Sequence, residues 1–218
     1  MNKTRVYLFT GFLESGKSSF IQDTLLEQGF GEDEKTLIIA CEEGEVAFDI
    51  PALEKENASV EFIENEEDLN YETLLHLHQK YQPTQVMIEY NGMWDPALIL
   101  GSEKPRGWQV YQSITLVDAN AFGLQWANMK SIIAESVKYA DMVIFNRCKS
   151  GMDLGSYRRS MRALNPALQI IFEDEKGDQV AISEQLPYDI NADVIQVDDE
   201  DYGCLLYTSD AADDLIGV

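Results

Sequence analysis

Eight residues near the start of the chain have the types and spacing of a phosphate-binding loop. Residues 11–18 read Gly-Phe-Leu-Glu-Ser-Gly-Lys-Ser and match the pattern Gly-x-x-x-x-Gly-Lys-Ser/Thr. Gly11 and Gly16 allow the tight turn that aims successive N–H groups at phosphate oxygens. Lys17 would reach the β- and γ-phosphates, and Ser18 would place its hydroxyl on Mg²⁺. A plain glycine turn before a helix is the alternative interpretation.

Three further positions of the same segment are expected to line the nucleotide. Glu14 and Ser15 lie between the two glycines, and Ser19 follows directly after the Lys17-Ser18 pair. We predict that all three contact the bound nucleotide. Glu14 would bring a negative charge beside phosphate oxygens, and the sequence offers no physical reason for it.

The segments on either side of the loop predict a strand and a helix. Residues 5–10 form a short β-branched and aromatic run, which is typical of a strand. Residues 18–28 carry apolar side chains at helical spacing, and the pattern stops at Gly29. The loop therefore sits at a strand-to-helix junction, the context in which this motif binds phosphate. Nucleotide binding is our working hypothesis.

The rest of the chain alternates between predicted strands and predicted helices. Residues 35–41 form a near-continuous apolar run, which indicates a parallel strand covered on both faces. Further strands are predicted over 59–63, 85–89, 113–117, 142–145 and 168–172, and further helices over 69–81, 119–137 and 157–163. The alternation predicts an α/β fold of the P-loop NTPase type, with a mainly parallel sheet sandwiched between helices. Ligands would bind at the carboxyl ends of the strands.

A second set of residues suited to phosphate chemistry follows the predicted strand 85–89. Glu89 ends this apolar strand, where its carboxylate could hold Mg²⁺ directly or through water. Three residues later, Gly92 offers a backbone N–H that could contact the γ-phosphate. A strand-end acid before a turn is the alternative. Lys17 and Glu89 are the predicted catalytic residues, and Ser18 and Glu89 are the predicted magnesium ligands.

Charge and cysteine content limit the partners and the compartment. The 218 residues include 39 acidic and 16 basic side chains, for a net charge of −23. So negative a chain opposes sequence-independent binding to nucleic acid or to anionic lipid, and we expect neither partner. Three widely spaced cysteines form no disulfide framework, and no apolar run is long enough to cross a bilayer. These features predict a cytoplasmic protein.

Five segments carry a resemblance to a known family. They are the loop Gly11 to Ser19, Cys41-Glu-Glu-Gly-Glu-Val-Ala-Phe-Asp49, Glu89-Tyr-Asn-Gly-Met-Trp-Asp-Pro96, Val117-Asp-Ala119 and Tyr139-Ala-Asp-Met-Val-Ile-Phe-Asn146. Together they resemble the CobW-type GTPases of the CobW/HypB/UreG group over roughly residues 4–175. The resemblance implies GTP binding with Mg²⁺, slow hydrolysis and a nucleotide-switched chaperone role. It also implies a metalloenzyme or cobalamin-dependent enzyme as the protein client, and a homodimer.

The resemblance places Glu42, Glu45 and Asp49 in a mobile switch segment near the γ-phosphate, and they are candidate metal ligands. The family's metal-binding Cys-x-Cys-Cys is expected after the third strand, but residues 64–69 read Glu-Asn-Glu-Glu-Asp-Leu. A thiolate site for Zn²⁺ or a similar ion is therefore absent from that stretch. Cys41 and the three acids would instead suit a harder ion, unless the acids serve Mg²⁺ or solvent.

The family's base-recognition motif is altered in this chain. The pattern Asn/Thr-Lys-x-Asp appears as Asn146-Arg147-Cys148-Lys149, so a lysine replaces the carboxylate that would accept two hydrogen bonds from guanine. Asn146 and Arg147 remain candidate base contacts. Loss of the two bonds weakens selectivity, which leaves GTP as the first choice and ATP as the alternative. A switch protein that binds without hydrolysis is a second alternative, and an ATP-dependent small-molecule kinase is a third.

Composition divides the chain into three parts. Residues 1–175 form the predicted P-loop domain, and the acidic residues 176–203 could begin a smaller C-terminal domain. Residues 204–213 read Cys-Leu-Leu-Tyr-Thr-Ser-Asp-Ala-Ala-Asp, the translation of an adapter used in transposase-based sequencing libraries. We therefore expect residues 204–218 to be a non-native tail and the remainder of the C-terminal domain to be missing.

Overall fold

A computed structural model of the protein describes residues 3–31, 33–42, 44 and 46–181, so the predicted tail lies outside the described residues. The strands are β1 (Thr4–Thr10), β2 (Thr36–Ala40), β3 (Ala58–Phe62), β4 (Gln85–Glu89), β5 (Trp108–Asp118), β6 (Met142–Asn146) and β7 (Gln169–Phe172). The helices are α1 (Lys17–Leu26), α2 (Ile50–Lys55), α3 (Tyr71–Tyr81), α4 (Pro96–Gly101), α5 (Phe122–Lys138) and α6 (Leu154–Arg162). None of these helices is both long enough and apolar enough to span a lipid bilayer.

The described strands form one seven-stranded parallel sheet in the order β3-β2-β4-β1-β5-β6-β7. Strand β1, which leads into the phosphate loop, is central and pairs with β4 on one side and β5 on the other. The connection after β1 runs to β2 on one side of β1, whereas the connection after β4 runs to β5 on the other side, so a crevice opens at the carboxyl end of β1. The arrangement confirms the predicted α/β fold with a parallel sheet and helical connections.

Two apolar clusters hold the helices to the sheet. One joins Leu8 of β1 and Ile88 of β4 to Leu74 of α3. The other joins Phe145 of β6 to Phe122 of α5 and includes residues of α6 and β7. Every residue of β2 and β4 is buried. Because side chains alternate between the faces of a sheet, these strands are covered on both sides, which explains their apolar runs 37–40 and 86–88.

Helices α2 and α4 and the first half of β5 were not expected from the sequence. Each helix has six residues, which are too few to show a helical period. Each begins after an aspartate N-cap and has a proline in its first turn. The caps are Asp49, which accepts from the Ala52 N–H at 3.0 Å, and Asp95, which accepts from the Ala97 N–H at 2.9 Å. Strand β5 starts at Trp108, and its first five residues mix buried and exposed positions, so they lack a continuous apolar run.

Candidate nucleotide-binding site

The phosphate loop leaves the end of β1 and leads directly into α1. Gly11 has a φ of 133°, and a Cβ at this position would lie 2.2 Å from the backbone oxygen of Leu116. Gly16 has a φ of 88° and supplies no side-chain cap to α1. Both positions therefore require glycine. The first N–H groups of α1, including that of Ser19, are left available for a ligand.

Lys17 is buried within the loop, with 2% of its surface exposed. Its Nζ donates to the backbone oxygen of Gly11 at 2.9 Å and to that of Phe12 at 3.0 Å. The same ammonium forms an ion pair with Glu42. These partners fix the positive charge beside the loop amides, which suits the phosphate contact predicted for Lys17.

Ser18 and Glu89 meet at the carboxyl edge of the sheet, where the Ser18 Oγ donates to the Glu89 Oε1 at 2.7 Å. Glu89 is only 2% exposed, and its Oε2 lacks a hydrogen-bond partner within the described residues. Burial raises the pKa of Glu89, although Ser18 and Lys17 act against that shift. A buried carboxylate oxygen without a partner, next to a hydroxyl, is a donor set that a hard divalent cation would satisfy. Ser18 and Glu89 therefore fit Mg²⁺.

Gly92 packs directly on the phosphate loop. A Cβ at Gly92 would lie 2.2 Å from the backbone oxygen of Gly11, so no larger residue fits without moving the loop. The Gly92 N–H donates to the Glu42 Oε2 at 3.3 Å. Lys17, the Ser18–Glu89 pair and the Gly92 N–H thus surround one region at the end of β1.

Asn146 connects the end of β6 to the phosphate loop through its Nδ2, which donates to the backbone oxygen of Ser15 at 2.7 Å. The Ser15 Oγ and the Asn146 Oδ1 are both buried and have no hydrogen-bond partner in the part of the chain that the structure describes. Buried polar atoms beside a cleft usually gain their partner from a ligand or from water. Both atoms therefore suit the nucleotide contacts predicted for Ser15 and Asn146.

Asp118 is a site residue to which the sequence analysis gave no role. Its Oδ2 accepts from the Arg147 Nη1 at 2.7 Å, and this nitrogen also donates to the backbone oxygen of Glu14 at 3.0 Å. Burial acts to raise the pKa of Asp118, but hydrogen bonds from Arg147 and Asn120 outweigh burial and lower it. Asp118 therefore positions Arg147 against the loop. Its location at the end of an apolar strand, inside one of the five family-like segments, was the available signal.

Glu14 contacts the site through its backbone. Its φ of 62° places it in the left-handed region, and its side chain is exposed. The contact from Arg147 uses the Glu14 carbonyl oxygen rather than the carboxylate. The residue thus helps to shape the loop, while the reason for an acid at this position stays open.

Lys149 replaces the family's base-recognising acid and pairs with another acid instead. Its Nζ lies 3.3 Å from the Glu175 Oε1, and both side chains are exposed. The Cys148 N–H donates to the backbone oxygen of Glu173 at 2.8 Å, which joins the loops that follow β6 and β7. Position 149 therefore lacks a carboxylate, but Glu175 supplies one on the adjacent loop.

The candidate metal ligands of the switch segment make separate contacts. Asp49 caps α2 by accepting from Ala52, whereas Glu42 pairs with groups of the phosphate site, and Glu45 lies outside the described residues. Burial and two neighbouring carboxylates raise the pKa of the Cys41 thiol to about 12. Among the described side chains, no three of His, Cys, Asp or Glu are grouped to hold a metal ion. A harder metal site in this segment stays a prediction.

A phosphate loop at the centre of a parallel sheet, with a lysine, a hydroxyl–carboxylate pair and a glycine N–H around it, defines a P-loop nucleotide-binding protein. A sequence model of the CobW/HypB/UreG nucleotide-binding domain matches residues 5–172. The chain belongs to this family, which confirms the resemblance.

Solved structures share this fold. The Zn(II)-bound YjiA GTPase from E. coli is 24% identical with a TM-score of 0.61, and the match covers 78% of this chain and 57% of that one. The hydrogenase maturation factor HypB from Archaeoglobus fulgidus is 17% identical with a TM-score of 0.57, covering 82% and 84%. HypB from Helicobacter pylori in complex with nickel is 14% identical with a TM-score of 0.52, covering 80% of each chain. No match is found among curated protein sequences.

Proposed function

We propose that this chain binds a purine nucleoside triphosphate together with Mg²⁺ and hydrolyses it slowly. One observation carries the proposal: Lys17, the Ser18–Glu89 pair and the Gly92 N–H converge at the end of β1. Each supplies a different requirement of a bound triphosphate, namely positive charge, a metal-ligand set and a donor for the third phosphate.

The chain's own residues would act by binding and orienting the phosphates. Lys17 and the loop amides would hold phosphate oxygens, and the Gly92 N–H would contact the third phosphate. Ser18 and Glu89 would hold Mg²⁺, which neutralises charge on the phosphate oxygens when it is bound. The catalytic contribution would therefore be positioning and charge stabilisation, without a covalent intermediate.

GTP is the proposed nucleotide, with ATP as the alternative. The relative YjiA is described as a GTPase, and this chain belongs to the same family. No group of the described residues donates to the buried Asn146 Oδ1 beside the loop, which suits a contact with the nucleotide. Lys149 argues for weakened guanine selectivity, because an ammonium cannot accept the two hydrogen bonds that guanine offers.

We further propose that the bound nucleotide controls a chaperone role toward a metalloenzyme or a cobalamin-dependent enzyme. Relatives include a hydrogenase maturation factor, a nickel complex and a zinc complex. The stretch 64–69 contains a short 3₁₀ turn, Glu66–Asp68, and no cysteine, so a metal would not be held there by thiolates. Residues 1–175 would form the nucleotide-binding unit, and the family suggests a homodimer.

Isothermal titration of the wild-type protein with GTP, ATP and GDP, with and without Mg²⁺, tests the proposal, followed by measurement of phosphate release. We expect GTP to bind more tightly with Mg²⁺ than without it, and phosphate to be released slowly. Binding of GTP without any release would favour the non-hydrolysing alternative. The absence of binding to all three nucleotides would contradict the proposal.

A further inference from the structure

Glu42 lies at the point where the second strand reaches the phosphate site. It follows Cys41, whose N–H donates to the backbone oxygen of Glu89 at 2.8 Å and so extends the pairing of β2 with β4. The side chain of Glu42 is only 9% exposed. A carboxylate so buried needs partners that compensate for lost solvation.

Both partners of the Glu42 carboxylate are groups that the site offers to a third phosphate. One oxygen forms the ion pair with the Lys17 Nζ, and the other accepts from the Gly92 N–H at 3.3 Å. Lys17 and the Gly92 N–H are assigned to the γ-phosphate independently of Glu42, from the loop motif and from the turn after β4. The carboxylate therefore bridges the two donors as an anionic phosphoryl group would.

The ammonium of Lys17 has no donor left over in this state. Its three protons serve the oxygens of Gly11, Phe12 and Glu42. A third phosphate can reach Lys17 only by replacing one of these acceptors. The two backbone oxygens belong to the loop itself, so the acceptor that can leave is Glu42.

We propose that Glu42 sets the preference between nucleoside diphosphate and triphosphate, because its carboxylate occupies the γ-phosphate position and must be displaced when a triphosphate binds. This inference rests on the proposed function. A diphosphate would share Lys17 with Glu42 and leave the hydrogen bond from the Gly92 N–H in place, whereas a triphosphate would replace Glu42 at both donors. The displaced residue begins the switch segment 42–49, so the third phosphate would act on that segment through Glu42.

The variant Glu42→Gln tests the inference by removing the charge while keeping the size of the side chain. Titration with GDP and with guanosine 5′-(β,γ-imido)triphosphate, both with Mg²⁺, gives two dissociation constants for each protein. We expect the affinity for the triphosphate analogue to rise about tenfold, because a neutral amide competes less for Lys17. The affinity for GDP should rise much less, because the β-phosphate contacts Lys17 but does not reach the Gly92 N–H, and retained GDP binding also shows that the variant is folded.

Glu64→Gln is the matched control, since Glu64 is an exposed acid just beyond β3 at the same edge of the sheet. It removes the same charge and should leave the ratio of the two affinities unchanged. A Glu42→Gln protein that loses triphosphate affinity, or gains both affinities equally, would overturn the inference while leaving nucleotide binding intact. If the wild-type protein binds neither nucleotide, the proposed function and this inference both fail.

Discussion

Glu89 is a buried acid whose surroundings oppose its negative charge. Its pKa is raised above the usual 4.5, mainly by burial, with a further contribution from Glu42, while Ser18 and Lys17 act in the opposite direction. Its second oxygen has no partner within the described residues. The buried charge destabilises the ligand-free protein but suits a cation. Removing the charge should therefore raise stability and impair function.

Glu89→Gln should therefore stabilise the ligand-free protein. A carboxyl with a raised folded-state pKa binds more protons when folded than when unfolded, so its contribution to stability is lost as pH rises above about 4.5. We expect the variant to gain about 1 kcal/mol in free energy of unfolding at pH 7 and almost nothing at pH 4. Urea unfolding between pH 4 and pH 8, with Glu64→Gln as control, measures the difference. A variant that is less stable than wild type at pH 7 would contradict this account.

Residues with local signals could be assigned from the sequence, whereas residues defined by strand order could not. Lys17 and Ser18 belong to one contiguous motif, and Glu89 stands at the end of an apolar strand. The contact of Glu42 with Lys17 depends on β2 lying next to β4, which no local pattern encodes. The contact of Asp118 with Arg147 was likewise not predicted, because Asp118 ends one strand and Arg147 follows another.

At the scale of elements, the loop after β6, which carries the altered base-recognition motif, is joined to the loop after β7. Lys149 follows β6 and pairs with Glu175, which follows β7. Strands β2 and β4 were predictable because each is a continuous buried run, but the pairing of exposed loop side chains was not, because it has no periodic signal. Helices α2 and α4 were not predicted because six residues are too few to show a helical period.

Restoring an acid at position 149 should raise the preference for GTP over ATP. Lys149→Asp alone would set a second carboxylate beside Glu175, so the double variant Lys149→Asp/Glu175→Lys keeps the pair with its charges exchanged. We expect the ratio of the ATP and GTP dissociation constants to rise about tenfold, since a hydrogen bond to a charged group contributes about 1.5–3 kcal/mol. Glu175→Lys alone is the control. If the wild-type protein already prefers GTP by about a thousandfold, the acid that recognises guanine must lie elsewhere in the chain.

At the scale of the whole molecule, a triphosphate must bind to a chain with a net charge of −23. Long-range electrostatics would oppose that binding, so the proposed site would depend on short-range contacts with a buried ammonium, the loop amides and a bound metal ion. All the residues proposed to act lie between Gly11 and Arg147, inside the matched span 5–172. The function should therefore be independent of the last residues of the sequence.

A chain ending at Gly203 should bind nucleotide as tightly as the full chain. The residues removed, 204–218, include the adapter-like run and none of the proposed site residues. We expect dissociation constants for GTP within about twofold of each other. Side-by-side titration of the two purified chains gives the comparison. A loss of affinity of about tenfold would show that the tail takes part in the site and contradict its interpretation as non-native.

The central claim is that a buried lysine in the phosphate loop binds a triphosphate, and Lys17→Met tests it most directly. Methionine keeps much of the length and apolar volume of the side chain but removes the ammonium that Gly11, Phe12 and Glu42 accept from. Equilibrium titration of GTP in the presence of Mg²⁺ is the measurement, with circular dichroism to establish folding. The account predicts at least about a hundredfold loss of affinity in a folded variant. Binding equal to that of the wild-type protein would contradict it.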